Sequence, residues 1–168
     1  MLPRTLLTAL ATVCALQLCG CMYSFTGASV PSHLKTVGIP LVDDQSGFGE
    51  PGLRETFSRE LTDLFTSDNS LQVADKGVAD ALLEGAIVSI GDAPAVVEQG
   101  EQVSKRRITM TVHFTFQDMK LRKKVWDKTF SNWGDYDSGG GLSQRQVGLK
   151  EAMRKITEDI LLETVSGW

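Results

Sequence analysis

The chain is poor in the residues that do chemistry. Its three cysteines, Cys14, Cys19 and Cys21, all fall within the first 21 positions. Residues 22–168 therefore offer no disulfide, no thiol nucleophile and no cysteine metal ligand. Only two histidines occur, His33 and His113. No nucleophile-elbow pattern accompanies them, so a Ser-His-Asp arrangement has nothing to build on. Each histidine reads as a solvated polar residue. Positive charge is also short: 17 basic residues face 21 acidic ones, a formal charge of −4. That balance excludes wholesale nucleic-acid binding. The acidic run Asp135-Tyr136-Asp137 precedes Ser138-Gly139-Gly140-Gly141. It lacks the spaced ligands and closing Glu of an EF-hand calcium loop. Its triple glycine lacks the Gly-Lys-Ser/Thr of a phosphate-binding loop. The stretch reads as a flexible solvated turn, and the chain as a non-enzyme with no expected metal or cofactor.

What is present begins at the N-terminus. Arg4 is followed by an apolar run from Leu6 to Leu18, then Leu18-Cys19-Gly20-Cys21. A positive start, a short apolar core and small residues before a cut define a secretory signal. The run is too short and too early for a membrane-spanning helix, which needs ~20 apolar residues. Its end, Leu-x-Gly-Cys, resembles the lipobox of bacterial lipoproteins. The resemblance implies cleavage before Cys21, a diacylglycerol on its sulfur and a third acyl chain on its new amine. Residues 1–20 are then a signal peptide and 148 residues remain, enough for one domain. Attachment through several acyl chains is effectively permanent. Met22 follows the cysteine, not the Asp that retains many enteric lipoproteins in the inner membrane, so the expected address is the outer membrane.

Residues 21–33 read as an acylated start and a tether, rich in Gly, Ser and Pro near its end. Residues 34–168 carry the periodic segments. Lys35 to Val42 alternates with period two and predicts a strand. Leu53, Phe57, Leu61, Leu64 and Phe65 recur at helical spacing after Pro51-Gly52. Leu71 to Ala74 predicts a short strand, parallel to the first across a right-handed crossover. Ala81 to Ile90 is a longer apolar strand in which Gly85 marks a bulge or a close approach. Gly91 to Lys105 is a polar connection, either an extended loop or a hairpin projecting beyond the sheet. Arg107 to Gln117 has the cleanest pattern. Ile108, Met110, Val112, Phe114 and Phe116 face one way, and Thr109, Thr111, His113, Thr115 and Gln117 the other. Only a strand with one wet face fits. Lys124 to Trp133 is its partner strand, Gly134 to Gly141 a break, and a second helix runs from an N-cap at Ser143 to about Val165. The order predicts an α+β two-layer sandwich, two helices packed on one face of a mixed four- to five-stranded sheet.

Two basic clusters stand out in the acidic chain. Lys105, Arg106 and Arg107 open the alternating strand. Lys120, Arg122, Lys123 and Lys124 surround the turn at its far end, ~40 Å away at ~3.4 Å per residue. Each is explained either as a solvated sheet end, with lysines discouraging edge pairing, or as a site for the phosphates of a lipid head group.

Several stretches in order carry a family resemblance. They are Cys21-Met22-Tyr23-Ser24-Phe25-Thr26-Gly27, Leu34-Lys35-Thr36-Val37-Gly38-Ile39-Pro40, and the helix with Leu53, Glu60 and Leu61. Ala79-Asp80-Ala81-Leu82-Leu83-Glu84-Gly85, Lys124-Val125-Trp126 and Thr164-Val165-Ser166-Gly167-Trp168 follow. Together they resemble the LptE family of lipopolysaccharide-assembly lipoproteins of Gram-negative envelopes. The resemblance implies a non-catalytic protein that plugs the large β-barrel LptD, assists its assembly and binds lipopolysaccharide. No site residue transfers with it. The cluster Lys120, Arg122, Lys123 and Lys124 is the lipopolysaccharide-binding candidate on chemistry alone, with Lys105, Arg106 and Arg107 secondary. The competing expectation is a lipoprotein adaptor of another envelope complex, a secretion pore or a cell-wall synthase.

Overall fold

A computed structural model describes residues 30–95 and 105–168. The signal segment, Cys21, most of the tether and the middle of the Gly91–Lys105 connection lie outside the described residues. The elements are β1 (Thr36–Gly38), β2 (Asp43–Asp44), α1 (Leu53–Asp68), β3 (Gln72–Ala74), β4 (Ala81–Pro94), β5 (Lys105–Asp118), β6 (Lys123–Asp137) and α2 (Gly141–Ser166). The sheet order is β3-β1-β4-β5-β6, with β2 also beside β4. β1 pairs in parallel with β3 and β4, while β4, β5 and β6 are antiparallel. Both helices contribute to one core on one face, the α+β sandwich that the pattern predicts.

α1 buries Leu53, Phe57, Leu61 and Phe65, one residue per turn of a single stripe. It starts after Gly52 (φ 72°) and stops at Asn69 (φ 59°), whose N–H donates to the Phe65 carbonyl at 3.1 Å. Left-handed backbone suits these two residue types and ends a helix. On β5, Ile108, Met110, Val112, Phe114 and Phe116 are all fully buried. Phe114 stacks on Phe57 at 6.0 Å, joining β5 to α1. At the other end of α2, the Trp168 ring meets Phe116 edge-on and its Nε1 donates to the Thr164 carbonyl.

Three local expectations are corrected and the pair of alternatives at Gly85 is decided. The strand over Lys35–Val42 breaks after Gly38, because Pro40 has no N–H to give to a ladder. Of the two readings of Gly85, the close approach holds and the bulge does not. A side chain there would meet the Phe114 ring at about 2.6 Å, and the register shift lies at Ile87/Ser89 instead. Residues 134–137 are not a solvated turn: they extend β6, with Tyr136 buried and Asp135 opposite Arg107. Ser143 is no N-cap, since α2 is preceded by Gly140 and Ser143 Oγ donates back to the Gly140 carbonyl at 3.1 Å. The polar connection resolves toward the hairpin alternative, with Asp92 opposite Ile108 and Pro94 opposite Arg106.

Candidate functional site

The long strands β5 and β6 separate two ends of the domain. The first basic cluster lies at the hairpin end and is largely consumed. Arg106 Nε donates to Asp92 Oδ1 at 2.9 Å and to the Tyr136 hydroxyl at 3.0 Å. The Tyr136 hydroxyl donates to Asp92 Oδ2 at 2.7 Å. Arg145, from the first turns of α2, reaches Glu50 at 3.0 Å and lies over the Phe48 ring at 4.3 Å. Arg107 grips Asp135 with two bonds, at 2.6 and 2.8 Å. That bidentate pair holds the Asp135 carboxyl below the usual carboxylate range. Lys105 of this cluster makes no side-chain hydrogen bond or ion pair among the described residues, though its charge also acts on Asp135.

The second cluster divides differently. Lys120 Nζ turns inward, to Asp80 at 2.9 Å and to the His33 carbonyl at 2.6 Å. Lys124 pairs with Asp127, which also accepts from His113 Nε2 at 2.6 Å. Arg122 and Lys123 are exposed and have no partner among the described residues. Arg122 has a left-handed backbone, φ 52°, at the corner of the turn. The apolar side chains beside them also point out: Met119 is 43% exposed and Leu121 65%. The four-cation site expected at this turn therefore reduces to two free cations flanked by two exposed apolar residues.

His33 is not a loose tether residue. Its Nε2 donates to Asp118 Oδ2 at 2.6 Å, and Asp118 Oδ1 accepts the Leu121 N–H at 2.8 Å. Burial pushes the Asp118 carboxyl up, but these bonds outweigh it and the carboxyl sits below its ordinary range. Asp80 is bound more tightly still. Lys120, with the N–H groups of Lys35 and Thr36, pulls its carboxyl down to about 2. The segment entering the domain and the β5–β6 turn are thereby one polar clamp.

The outer face of the sheet is wet. Thr109 and His113 are exposed, Thr111 and Thr115 half-buried, and Thr111 shares a hydrogen bond with Ser131 at 3.1 Å. Composition alone missed Trp133 on this face. It is 44% exposed and lies between the Arg107 guanidinium at 5.0 Å and the Lys155 ammonium at 5.4 Å. Its signal was positional: it alternates with the inward-facing Asn132 and Gly134 on β6. A cleft of about 440 Å³ between the starts of the two helices is lined by Leu53, Leu149, Met153, Arg59 and Lys150. Its nearest carboxylate, Glu50, is held by Arg145, so it contains no paired acid and base. Among the described residues no group of three His, Cys, Asp or Glu side chains is placed to hold a metal ion. No described helix is long and apolar enough to cross a membrane.

The described residues thus form two helices on a mixed sheet with a wet outer face. The sequence matches the family LptE, lipopolysaccharide-assembly, over residues 34–164. The chain belongs to the LptE family, a non-enzymatic family of lipopolysaccharide-assembly lipoproteins of the cell envelope. No curated protein matches it. Solved structures share its fold at low identity. Protein XCC0632 from Xanthomonas campestris superposes with a TM-score of 0.60 at 12% identity, covering 83% of this chain and 91% of that one. The PelC dodecamer subunit from Paraburkholderia phytofirmans gives 0.55 at 13%, covering 83% and 94%. Rare lipoprotein B from Shewanella oneidensis gives 0.50 at 13%, covering 77% and 92%.

Proposed function

We propose that this chain is processed before Cys21, acylated there, held at the outer membrane, and seated in an LptD-type β-barrel. There it assists barrel assembly and binds lipopolysaccharide on its way to the surface. The observation that carries this reading is the polar open face of β5 on a domain of this family. Thr, His and Gln side chains with Trp133 make a surface suited to a wet contact rather than a dry core. The acyl anchor adds to it by confining the encounter with the barrel to one membrane plane. Arg122 and Lys123 are the cations free to meet lipopolysaccharide phosphates, since Lys120 and Lys124 are spent within the domain.

Affinity capture from detergent-solubilised outer membranes tests the partner. A very large β-barrel protein is expected to come down with the chain. A secretin or a cell-wall synthase in its place would move the chain to the adaptor class. The ligand is tested with Arg122→Glu/Lys123→Glu, which is expected to weaken lipopolysaccharide binding at low salt, where screening is least. Unchanged affinity removes lipopolysaccharide from this turn.

A further inference from the structure

The β5–β6 turn combines three features at one pole of the molecule. Met119 and Leu121 are exposed apolar side chains, 43% and 65% accessible. Arg122 and Lys123, which follow Leu121 directly, are exposed and make no side-chain hydrogen bond or ion pair among the described residues. The acidic groups nearby are already engaged: Asp80 is paired with Lys120 and Asp127 with Lys124, while Asp118 accepts hydrogen bonds from His33 and the Leu121 N–H. An acidic domain is thus locally basic and apolar at one tip. Apolar residues interleaved with cations are the composition of an interfacial membrane contact.

The second argument is where the chain enters. Val30 packs on the core, and His33 is stapled to Asp118 and Lys120, which flank the turn. Nine residues of chain back from Val30 to Cys21 span at most ~30 Å. The opposite pole, where β6 ends and α2 begins, stands a further ~45 Å along the strands. A leaflet holding Cys21 can touch the turn far more readily than the other end. We infer that the β5–β6 turn docks on the membrane surface beside the acyl anchor. Leu121 and Met119 enter the headgroup layer, and in the absence of lipopolysaccharide Arg122 and Lys123 lie on phospholipid phosphates. The occupant is a glycerophospholipid leaflet, and the inference rests on acylation at Cys21. The clamp of His33, Asp118, Lys120 and Asp80 is the device that holds the turn in register with the anchor.

After processing the chain carries no cysteine but the acylated one, so single thiols can report on each pole. Leu121→Cys and Leu142→Cys both replace exposed leucines, 65% and 75% accessible, at the turn and at the start of α2. Each acylated full-length variant is labelled with a polarity-sensitive fluorophore. It is then reconstituted into vesicles of phosphatidylethanolamine and phosphatidylglycerol without lipopolysaccharide. The label at 121 is expected to shift to the blue, to be quenched by spin-labelled lipid, and to lose iodide quenching severalfold relative to 142. Adding Arg122→Glu/Lys123→Glu to the 121 variant is expected to restore iodide access. Equal iodide access at 121 and 142 on chains that float with the vesicles overturns the docking alone. Protection that appears only when lipopolysaccharide is added also overturns it, and assigns the turn to that ligand. Chains that fail to float, or an unmodified Cys21 by mass, overturn the anchor and the docking with it.

Discussion

Gly134 tests the packing of α2 on β6 at a single point. It lies opposite Ile108 and faces the helix where Gly148 passes. A Cβ at Gly134 would stand 2.8 Å from the Gly148 carbonyl carbon and 2.9 Å from Glu151 Cβ, and nearer still to the Gly148 oxygen. Carbon atoms rest at ~3.5–4.0 Å, so helix and strand must part by about 1 Å. The obstacle is backbone and cannot swing aside. Overpacking of this kind costs ~1–3 kcal/mol, and the rigid obstacle places it near the upper end. The smaller entropy of the unfolded Ala chain returns ~0.4–1 kcal/mol. Gly134→Ala should therefore lose about 2–3 kcal/mol, lowering Tm by roughly 6–12 °C at ~3–4 °C per kcal/mol. Gly91→Ala is the control, because a Cβ there meets nothing within 4 Å. Gly148→Ala gains ~1 kcal/mol of helix propensity. It loses about as much against Tyr136 at 3.1 Å and the Gly134 oxygen at 3.2 Å, so its net effect is near zero. In the double variant the helix has already moved, and the two effects should sum to less than their parts. Thermal and urea melts of the four variants decide the matter. A Gly134→Ala protein melting with Gly91→Ala would falsify the close crossing of helix and strand.

Two further outcomes follow from the same packing and charges. Phe114 is fully buried against Phe57, so Phe114→Ala should cost ~3–5 kcal/mol. A loss under ~1 kcal/mol would mean the faces of β5 are reversed. Asp80 sits at about 2 in the folded chain because Lys120 and two backbone N–H groups hold its charge. The unfolded chain takes up that proton first, near pH ~4. The stability that Asp80 contributes is therefore whole above pH ~4 and disappears as the pH falls toward ~2. Urea midpoints measured across that window should fall for the native protein and fall less for Asp80→Asn. Identical slopes would show that another carboxylate governs the acid limb.

The elements whose neighbours in space are also neighbours in pattern were legible in the sequence. The alternation of β5 named its five buried apolar residues, and the stripe of α1 named Leu53, Phe57, Leu61 and Phe65. Both depend on local period, which sequence displays directly. Residues 134–137 were misread because Gly and Asp are turn formers in isolation. Their reasons for being in a strand lie elsewhere in the chain. Gly134 is small because Gly148 passes over it, and Asp135 is acidic because Arg107 stands opposite. The partners of the basic clusters were hidden for the same cause. Lys120 and Arg106 looked free in sequence because Asp80, just before β4, and Asp92, on β4, are distant in the chain. His33 looked like tether because Asp118 is 85 residues away.

The distribution of charge then bears on which surfaces remain for partners. At the hairpin end, Arg106, Asp92, Tyr136, Arg145 and Glu50 tie β4, β5, β6 and α2 together. At the opposite end, His33, Asp118, Lys120 and Asp80 tie the entering chain to the β5–β6 turn. Charges committed in this way fix geometry and are poor ligands, since a new partner must first displace the old one. An approaching anion meets Arg122, Lys123 and Lys105 before any paired cation. An approaching protein surface meets the Thr-rich face and Trp133, where a large ring already lies between two cations. Aromatic side chains so placed are the residues on which interface energy concentrates. On the function proposed above, the free cations at the pole are the groups left for lipid, and the exposed indole is the group left for protein along the sheet.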